Sequence, residues 1–379
     1  MLHIGSHDIS EPIIQWGMGV GISNFELSWE VARNGWVGTL SSASLCLLPQ
    51  YKHLLDAAIQ EAKKYHQPIP LELRQAIFHQ ANLDCIKLEV QKAKKLADGK
   101  WPIFMNFLFA LKWFDEQVRA ACEAWVDGIT SGAGIAWNLP EITKDFPNVA
   151  LGIMLSDPKW VKIVVEKWKA TYNRTPDYII FEDPGKVGGA WWHLWARTLE
   201  KIDDPKLSLK NSLPAARQRL DENWHTNITL VWAGGIINSN DVQRTLWYGA
   251  DMVQVGTRFL ASEESWAHEN FKQAVVDSTE EDIVTYMSSV GLPARALKQS
   301  PILTSMQWII AHKRNCLNNC LKYCWLRDGD QNKAQMCIIN ELIKSTKWSS
   351  WEWLMFVGKS AARIQSILTV EEIMKVLTK

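Results

Sequence analysis

Eight short apolar runs, each followed by a helical pattern, constrain this chain more than any other feature. They lie at 12–15, 37–40, 103–106, 128–131, 150–155, 178–182, 228–231 and 252–255. Helical periodicity fills the intervals, for example at 25–34, 115–124, 158–172 and 241–248. Strands alternating with helices build parallel sheets, and apolar runs suit strands buried on both faces. Eight such units in about 260 residues match the repeat count and length of a (β/α)8 barrel. The expected fold class is therefore α/β, a TIM barrel. A doubly wound open sheet is the alternative, because strand order is not written in the sequence.

Two stretches exceed what the repeat needs. Residues 47–100, after the second strand, read as two or three polar helices. An insertion there lies on the face where barrel active sites form, and is expected to serve as a lid or partner surface. Residues 261–345 read as helical and then cysteine-rich, and are expected to form a small second domain. Residues 346–379 end in an amphipathic helix at 370–377 and are expected to return to the barrel. On this reading residues 1–260 are the barrel.

Forty-one Lys and Arg balance 41 Asp and Glu. Neither sign is massed in one stretch, so nucleic acid and anionic membrane are not expected partners. No run of 18 apolar residues exists, as a membrane-spanning helix would require. The opening MLHIGSHDIS lacks a basic start and a long apolar stretch. A cytoplasmic protein with a small-molecule substrate is expected, and the seven cysteines fit a reduced compartment. Homo-oligomerisation is left open.

The chemistry concentrates at strand ends. One strand runs Ile228-Thr-Leu-Val-Trp-Ala-Gly234-Gly235, the next Met252-Val-Gln-Val-Gly256-Thr257. Free amides there, with the N-terminus of a following helix, make an anion site. The loops after strands seven and eight of a barrel are a frequent phosphate site, so a phosphate-bearing cofactor is expected. Ordinary strand–turn junctions are the competing reading. The first strand ends in Gln15-Trp16-Gly17-Met18-Gly19-Val20-Gly21. Its glycines let backbone approach a flat ligand, or simply make a tight turn.

Asn106 closes the third strand, where its amide can serve a ligand or a turn. Ser131-Gly-Ala-Gly134 closes the fourth. Glu182-Asp183-Pro184 closes the sixth, and His193 follows in Gly188-Gly-Ala-Trp-Trp-His193. A histidine there is placed for proton transfer, although position alone favours a surface histidine. Cys316, Cys320, Cys324 and Cys337 form C-x3-C-x3-C-x12-C. Zinc or an iron–sulfur cluster is one reading. Buried free thiols are favoured, because x3 is not the usual x2 knuckle, so no metal is expected.

In order and over nearly its full length, the chain resembles the nitronate monooxygenase (2-nitropropane dioxygenase) family. Pro12-Ile-Ile-Gln-Trp-Gly-Met-Gly19 is similar to the family's PIxQGGMG, and Ser131-Gly-Ala-Gly134 to its fourth-strand motif. Ala190-Trp-Trp-His193 is similar to AGGH, Ala233-Gly-Gly-Ile236 to AGGI, and Gln254-Val-Gly-Thr-Arg-Phe-Leu260 to QxGTRFL. Gly291-Leu-Pro-Ala-Arg295 and the cysteine segment are similar to one bacterial branch. The resemblance implies an FMN-dependent TIM-barrel flavoprotein. Gly234, Gly235, Gly256 and Thr257 would hold the FMN phosphate. Gly17, Met18 and Gly19 would lie against the isoalloxazine, with Asn106 and Glu182 in polar contact with the ring or ribityl chain. His193 would be the catalytic acid/base. The implied activity is a monooxygenase oxidising alkyl nitronates or nitroalkanes with O2 to a carbonyl compound and nitrite. An FMN-dependent enoyl-thioester reductase and an NAD(P)H:quinone reductase share fold and cofactor. A flavin-free barrel acting as a scaffold or binding protein is the non-enzymatic alternative.

Composition adds one point. The 21 tryptophans equal the 21 glycines, far more tryptophan than a soluble barrel normally carries. Trp16, Trp191, Trp192 and Trp195 stand where the family has glycine, and Trp36 and Trp125 where it has small residues. Where φ is positive, each would cost roughly 1–2 kcal/mol. Indoles beside the strand ends are expected to project toward the flavin.

Overall fold

The computed structural model describes residues 2–98, 100–190, 199–223, 225–288, 292–300, 303, 316, 318–328, 337–348 and 354–379. An antiparallel hairpin, β1 (Leu2–Ile4) and β2 (His7–Ile9), comes first. Then follow β3 (Ile13–Gln15), β4 (Gly38–Ser41), β5 (Ile103–Leu108), β6 (Gly128–Gly132), β7 (Ala150–Leu155) and β8 (Tyr178–Glu182). The two-residue β9 (Gly189–Ala190) precedes β10 (Thr229–Ala233) and β11 (Met252–Val255). Strands β3 to β8, β10 and β11 are parallel, in the order β3-β11-β10-β8-β7-β6-β5-β4. A parallel bridge between Ile14 and Val37 closes the ring. The chain is therefore a (β/α)8 TIM barrel and not an open sheet.

Nearly every residue of these strands is buried, because one face meets the barrel interior and the other the helices. Ile14, Phe104, Tyr178, Ile180, Val231 and Met252 fill the interior, together with Ile4 and Ile9 of the hairpin. The hairpin seals the N-terminal end: His3 O accepts from Thr229 Oγ1 at 3.0 Å, and His7 Nε2 meets Asp127 O at 3.0 Å. Gly152 is dictated by this packing, since a Cβ there would lie 2.1 Å from the Tyr178 ring. Outside, helix Lys159–Tyr172 buries Val161, Val164, Val165 and Trp168, a helical stripe facing the barrel.

The 47–100 insertion contains two helices, Lys52–Lys63 and Leu71–Ala97. After β11 comes helix Glu269–Val276 and then, against expectation, a hairpin. Strands β12 (Ile283–Met287) and β13 (Pro293–Leu297) pair antiparallel, and β13 pairs with β9. Ile283, Val284, Thr285 and Tyr286 are β-branched or aromatic, which favours extended backbone over helix. The C-terminal stretch reaches the barrel top: Lys359 N donates to Lys186 O and Gly358 N to Thr257 Oγ1, each at 2.9 Å. It ends in helix Val370–Thr378. Among the described residues, no helix is long and apolar enough to cross a membrane.

Of the tryptophans singled out in the sequence, Trp125 carries the positive φ (73°) expected of a strained position, while Trp16 and Trp36 do not and Trp191, Trp192 and Trp195 lie outside the described residues. Trp348 also has positive φ (50°). Trp36 is buried edge-on to Phe259, with ring centroids 6.3 Å apart. Trp125 and Trp348 each sit just past a helix C-terminus, where a left-handed residue ends the helix and glycine is favoured.

Candidate active site

The C-terminal strand ends surround a cavity of about 490 Å3, a usual size for a small-molecule site. Gly17, Met18, Gly19, Asn106, Glu182, Gly234, Gly235, Gly256 and Thr257 all line it. His193 lies outside the described residues, as do Trp191, Trp192 and Trp195. Gly188 and Gly189, shortly before them in sequence, line the cavity.

After β10 the chain turns through Gly234 (φ +114°) and Gly235 (φ +80°), a backbone that side chains disfavour. Among the described residues, the amides of Gly235 and Ile236 make no hydrogen bond. They are adjacent donors suited to an anion. The next helix, Ser239–Trp247, does not contribute as expected from sequence. Its first turn is closed by its own side chains: Asp241 N donates to Asn238 Oδ1 at 3.1 Å, and Ile237 N to Asp241 Oδ2 at 3.0 Å. Arg363 (2.8 Å) and Arg244 (2.7 Å) pair with the same carboxylate. Burial opposes ionisation of Asp241, but the hydrogen bonds from Arg363 and the Ile237 amide hold it below the usual range. The amides left open to a ligand are thus those of the glycine loop, with Gly256 and Thr257 also lining the cavity.

At the opposite wall, Asn106 Nδ2 donates to Gly17 O at 3.1 Å, while its buried Oδ1 has no partner among the described residues. A Cβ on Gly17 would lie 2.6 Å from Asn106 Cβ and 2.7 Å from Leu40 O, so that glycine serves packing. Gly19 differs: the nearest atom to such a Cβ is Ser41 Oγ at 3.8 Å. Its lack of a side chain relieves no clash and leaves the cavity wall flat. Gln254 of β11 also lines the cavity, and among the described residues neither Oε1 nor Nε2 has a partner. Sequence reasoning missed it as a site residue. The signal was an amide inside the apolar run Met252-Val-Gln-Val255. By contrast, the buried amide of Gln15 is satisfied, through Ser23 Oγ (2.7 Å) and Thr39 N (2.9 Å). Leaving a buried amide unpaired costs about 1–3 kcal/mol, so Asn106 and Gln254 suit a polar ligand. The free loop amides of Gly235 and Ile236, with Gln254 on the neighbouring strand and Asn106 across the ring, suit a ligand with both an anionic group and hydrogen-bonding polar edges, as a flavin mononucleotide has. Trp16 lines the cavity as well, packed on the interior cluster.

Cys316, Cys320, Cys324 and Cys337, none of them in a disulfide, also line the cavity, with Arg74 and Arg327. Asn319 Nδ2 donates to Gln75 Oε1 at 2.9 Å, tying the cysteine segment to the insertion helix. Burial, with the neighbouring thiols adding to it, pushes Cys320 up to about 12. Among the described residues, no three His, Cys, Asp or Glu side chains form a metal-binding group.

A sequence model of the nitronate monooxygenase family matches residues 2–379. A probable nitronate monooxygenase of Staphylococcus saprophyticus is 40% identical over 72 residues, 19% of this chain and 20% of that protein. The match thus spans about a fifth of that curated relative's length. FabK from Thermotoga maritima superposes with a TM-score of 0.69 at 19% identity, covering 97% of this chain and 92% of that one. Nitroalkane oxidase from Streptomyces ansochromogenes superposes at 0.64 with 17% identity, covering 97% and 95%. At these identities the two superpositions establish the fold alone.

Proposed function

Because the chain belongs to the nitronate monooxygenase family, we propose that it is an FMN-dependent oxidoreductase. Its reaction would oxidise alkyl nitronates, or nitroalkanes, with O2 to a carbonyl compound and nitrite. The observation that carries the reading is one cavity whose loop amides at Gly235 and Ile236, and side-chain amides at Asn106 and Gln254, have no partner among the described residues. Gly234, Gly235, Gly256 and Thr257 would hold the phosphate. Gly17, Met18 and Gly19 would flank the isoalloxazine. Asn106, Gln254 and Glu182 would hydrogen-bond the ring edge or the ribityl chain.

When bound, FMN supplies the electron-transfer chemistry that side chains lack. The protein supplies position, a dry wall and a proton acceptor. Leu47, Leu108 and Ile236 line the cavity and keep water from the substrate, which strengthens the electrostatic interactions inside. His193 is the proposed base, taking the proton from the carbon bearing the nitro group. An imidazole, with a reference pKa of about 6.5, exchanges protons near neutrality.

Anaerobic mixing of the FMN-loaded protein with a nitronate, and separately with NADPH, tests the reaction. Rapid flavin reduction by the nitronate is expected. Reduction by NADPH alone would replace this reading with one of the two reductases. His193→Asn should lower turnover on neutral nitroalkanes on the order of 100-fold, the size of a general-base contribution. The loss on preformed nitronates should be smaller, because their proton is already gone. Unchanged rates on both would remove His193 from the mechanism.

A further inference from the structure

We propose that Lys186 is the counter-charge for a phosphate monoester bound over Gly234–Gly235. This rests on the flavin reading but goes beyond the glycine motifs, which offer amides and no cation. Lys186 follows β8, in Pro184-Gly-Lys186, and lines the cavity beside Gly234, Gly235, Thr257 and Gly358. Its stem lies across the glycine turn: a Cβ on Gly235 would be 2.7 Å from Lys186 Cδ and 3.6 Å from Nζ. Its backbone is anchored on both sides. Lys186 N donates to Asp183 O, and Lys186 O accepts from Lys359 N of the C-terminal stretch, each at 2.9 Å. The ammonium is therefore delivered to the turn by two separate segments.

Four other cations nearby are engaged elsewhere. Arg258 donates to Ala261 O (3.1 Å) and Ser366 O (2.8 Å). Arg295 donates to Val187 O and to Pro184 O. Arg244 and Arg363 are paired with Asp241. Lys186 itself makes no ion pair among the described residues. The acid beside it, Asp183, is buried and receives the Gly185 amide at 2.9 Å. Burial raises the Asp183 carboxyl, with Lys186 acting against the rise. A phosphate monoester carries about −1.5 to −2 charge at neutral pH. Backbone amides alone leave that charge unbalanced, and the Lys186 ammonium, 3.6 Å from the Cβ position of Gly235, is placed to meet it.

The test compares FMN with riboflavin, which has the ring and ribityl chain but no phosphate. Flavin-free wild type, Lys186→Met and Lys186→Arg are titrated with each, following flavin fluorescence. Lys186→Met should weaken FMN on the order of tenfold to a hundredfold, the size of one charge-assisted contact. It should leave riboflavin affinity unchanged, which also shows that the cavity is folded. Lys186→Arg should restore most of the FMN affinity. An equal loss for both flavins would reduce Lys186 to a packing stem and overturn the proposal, as would unchanged FMN affinity. A wild type that binds neither flavin would sink the flavin reading, and this inference with it.

Discussion

At the N-terminal end of the barrel, Asp127, Asp177 and Asp251 each stand one residue ahead of a strand. Each accepts an early amide of the neighbouring strand, from Ile103, Leu151 and Leu230 respectively, all at 2.7 Å. Each is also paired with a cation: Lys94 at 2.7 Å, Arg174 at 2.6 Å, and Arg217. At the C-terminal end, Asn106 Oδ1 and both polar atoms of Gln254 are buried and unpartnered, beside the unbonded amides of Gly235 and Ile236. One end satisfies these polar groups within the chain; the other leaves them without a partner among the described residues. On the proposed function the first end would carry stability and the second binding, the division expected of a TIM barrel.

The strongest way to break this contrast is Gly235→Asp. A carboxylate in the glycine turn would face the phosphate, and juxtaposed like charges cost several kcal/mol. FMN affinity should fall on the order of a hundredfold or more by fluorescence titration. The flavin-free protein should lose only about 1–2 kcal/mol, from the left-handed backbone at that position. Unchanged FMN affinity would show that the phosphate lies elsewhere.

Asp251→Ala probes the other end. It removes the acceptor of the Leu230 amide and the partner of Arg217. Denaturant unfolding should show a loss of about 2–3 kcal/mol, with FMN affinity unaltered. A matching loss of FMN affinity would show that the two ends are not separable.

What is legible in the sequence follows from how local each cause is. The barrel strands are readable because both faces are buried, so their apolar runs are unbroken. The Gly234–Gly235 motif is readable because its left-handed turn favours glycine at those two residues. The capping of helix Ser239–Trp247 is also written locally, as Asn238-x-x-Asp241, although the expectation of an anion-binding helix end overlooked it. Lys186 and Gln254 are hidden for a different reason. Lys186 acts through Gly235, a residue far later in the chain, and an isolated lysine after a strand is usually a solvated one. Gln254 is one polar residue in a buried strand, and only closure of the ring gives it a cavity and no partner. The cavity-lining cysteines read as part of a separate domain because nothing in their spacing says which surface they cover.

Gln254→Leu sharpens the comparison with a smaller effect. Removing an unsatisfied buried amide should leave the flavin-free protein as stable as before, or more so. FMN affinity should drop roughly tenfold, the size of one lost hydrogen bond. A less stable flavin-free protein with undiminished FMN affinity would mean that Gln254 serves the fold. Smallest of all, Trp125→Gly should raise stability by about 1 kcal/mol, because φ is +73° and the indole is 79% exposed. FMN affinity should not change. A fall in melting temperature would show that the indole holds the helix end by packing.

The most direct measurement is the flavin content of the purified protein. Its absorbance spectrum is recorded, and the chromophore is released by denaturation and identified. The account predicts a yellow protein carrying about one flavin per chain, released as FMN and not as riboflavin, since the phosphate is the group the glycine turn holds. A colourless protein that takes up no added FMN would contradict it.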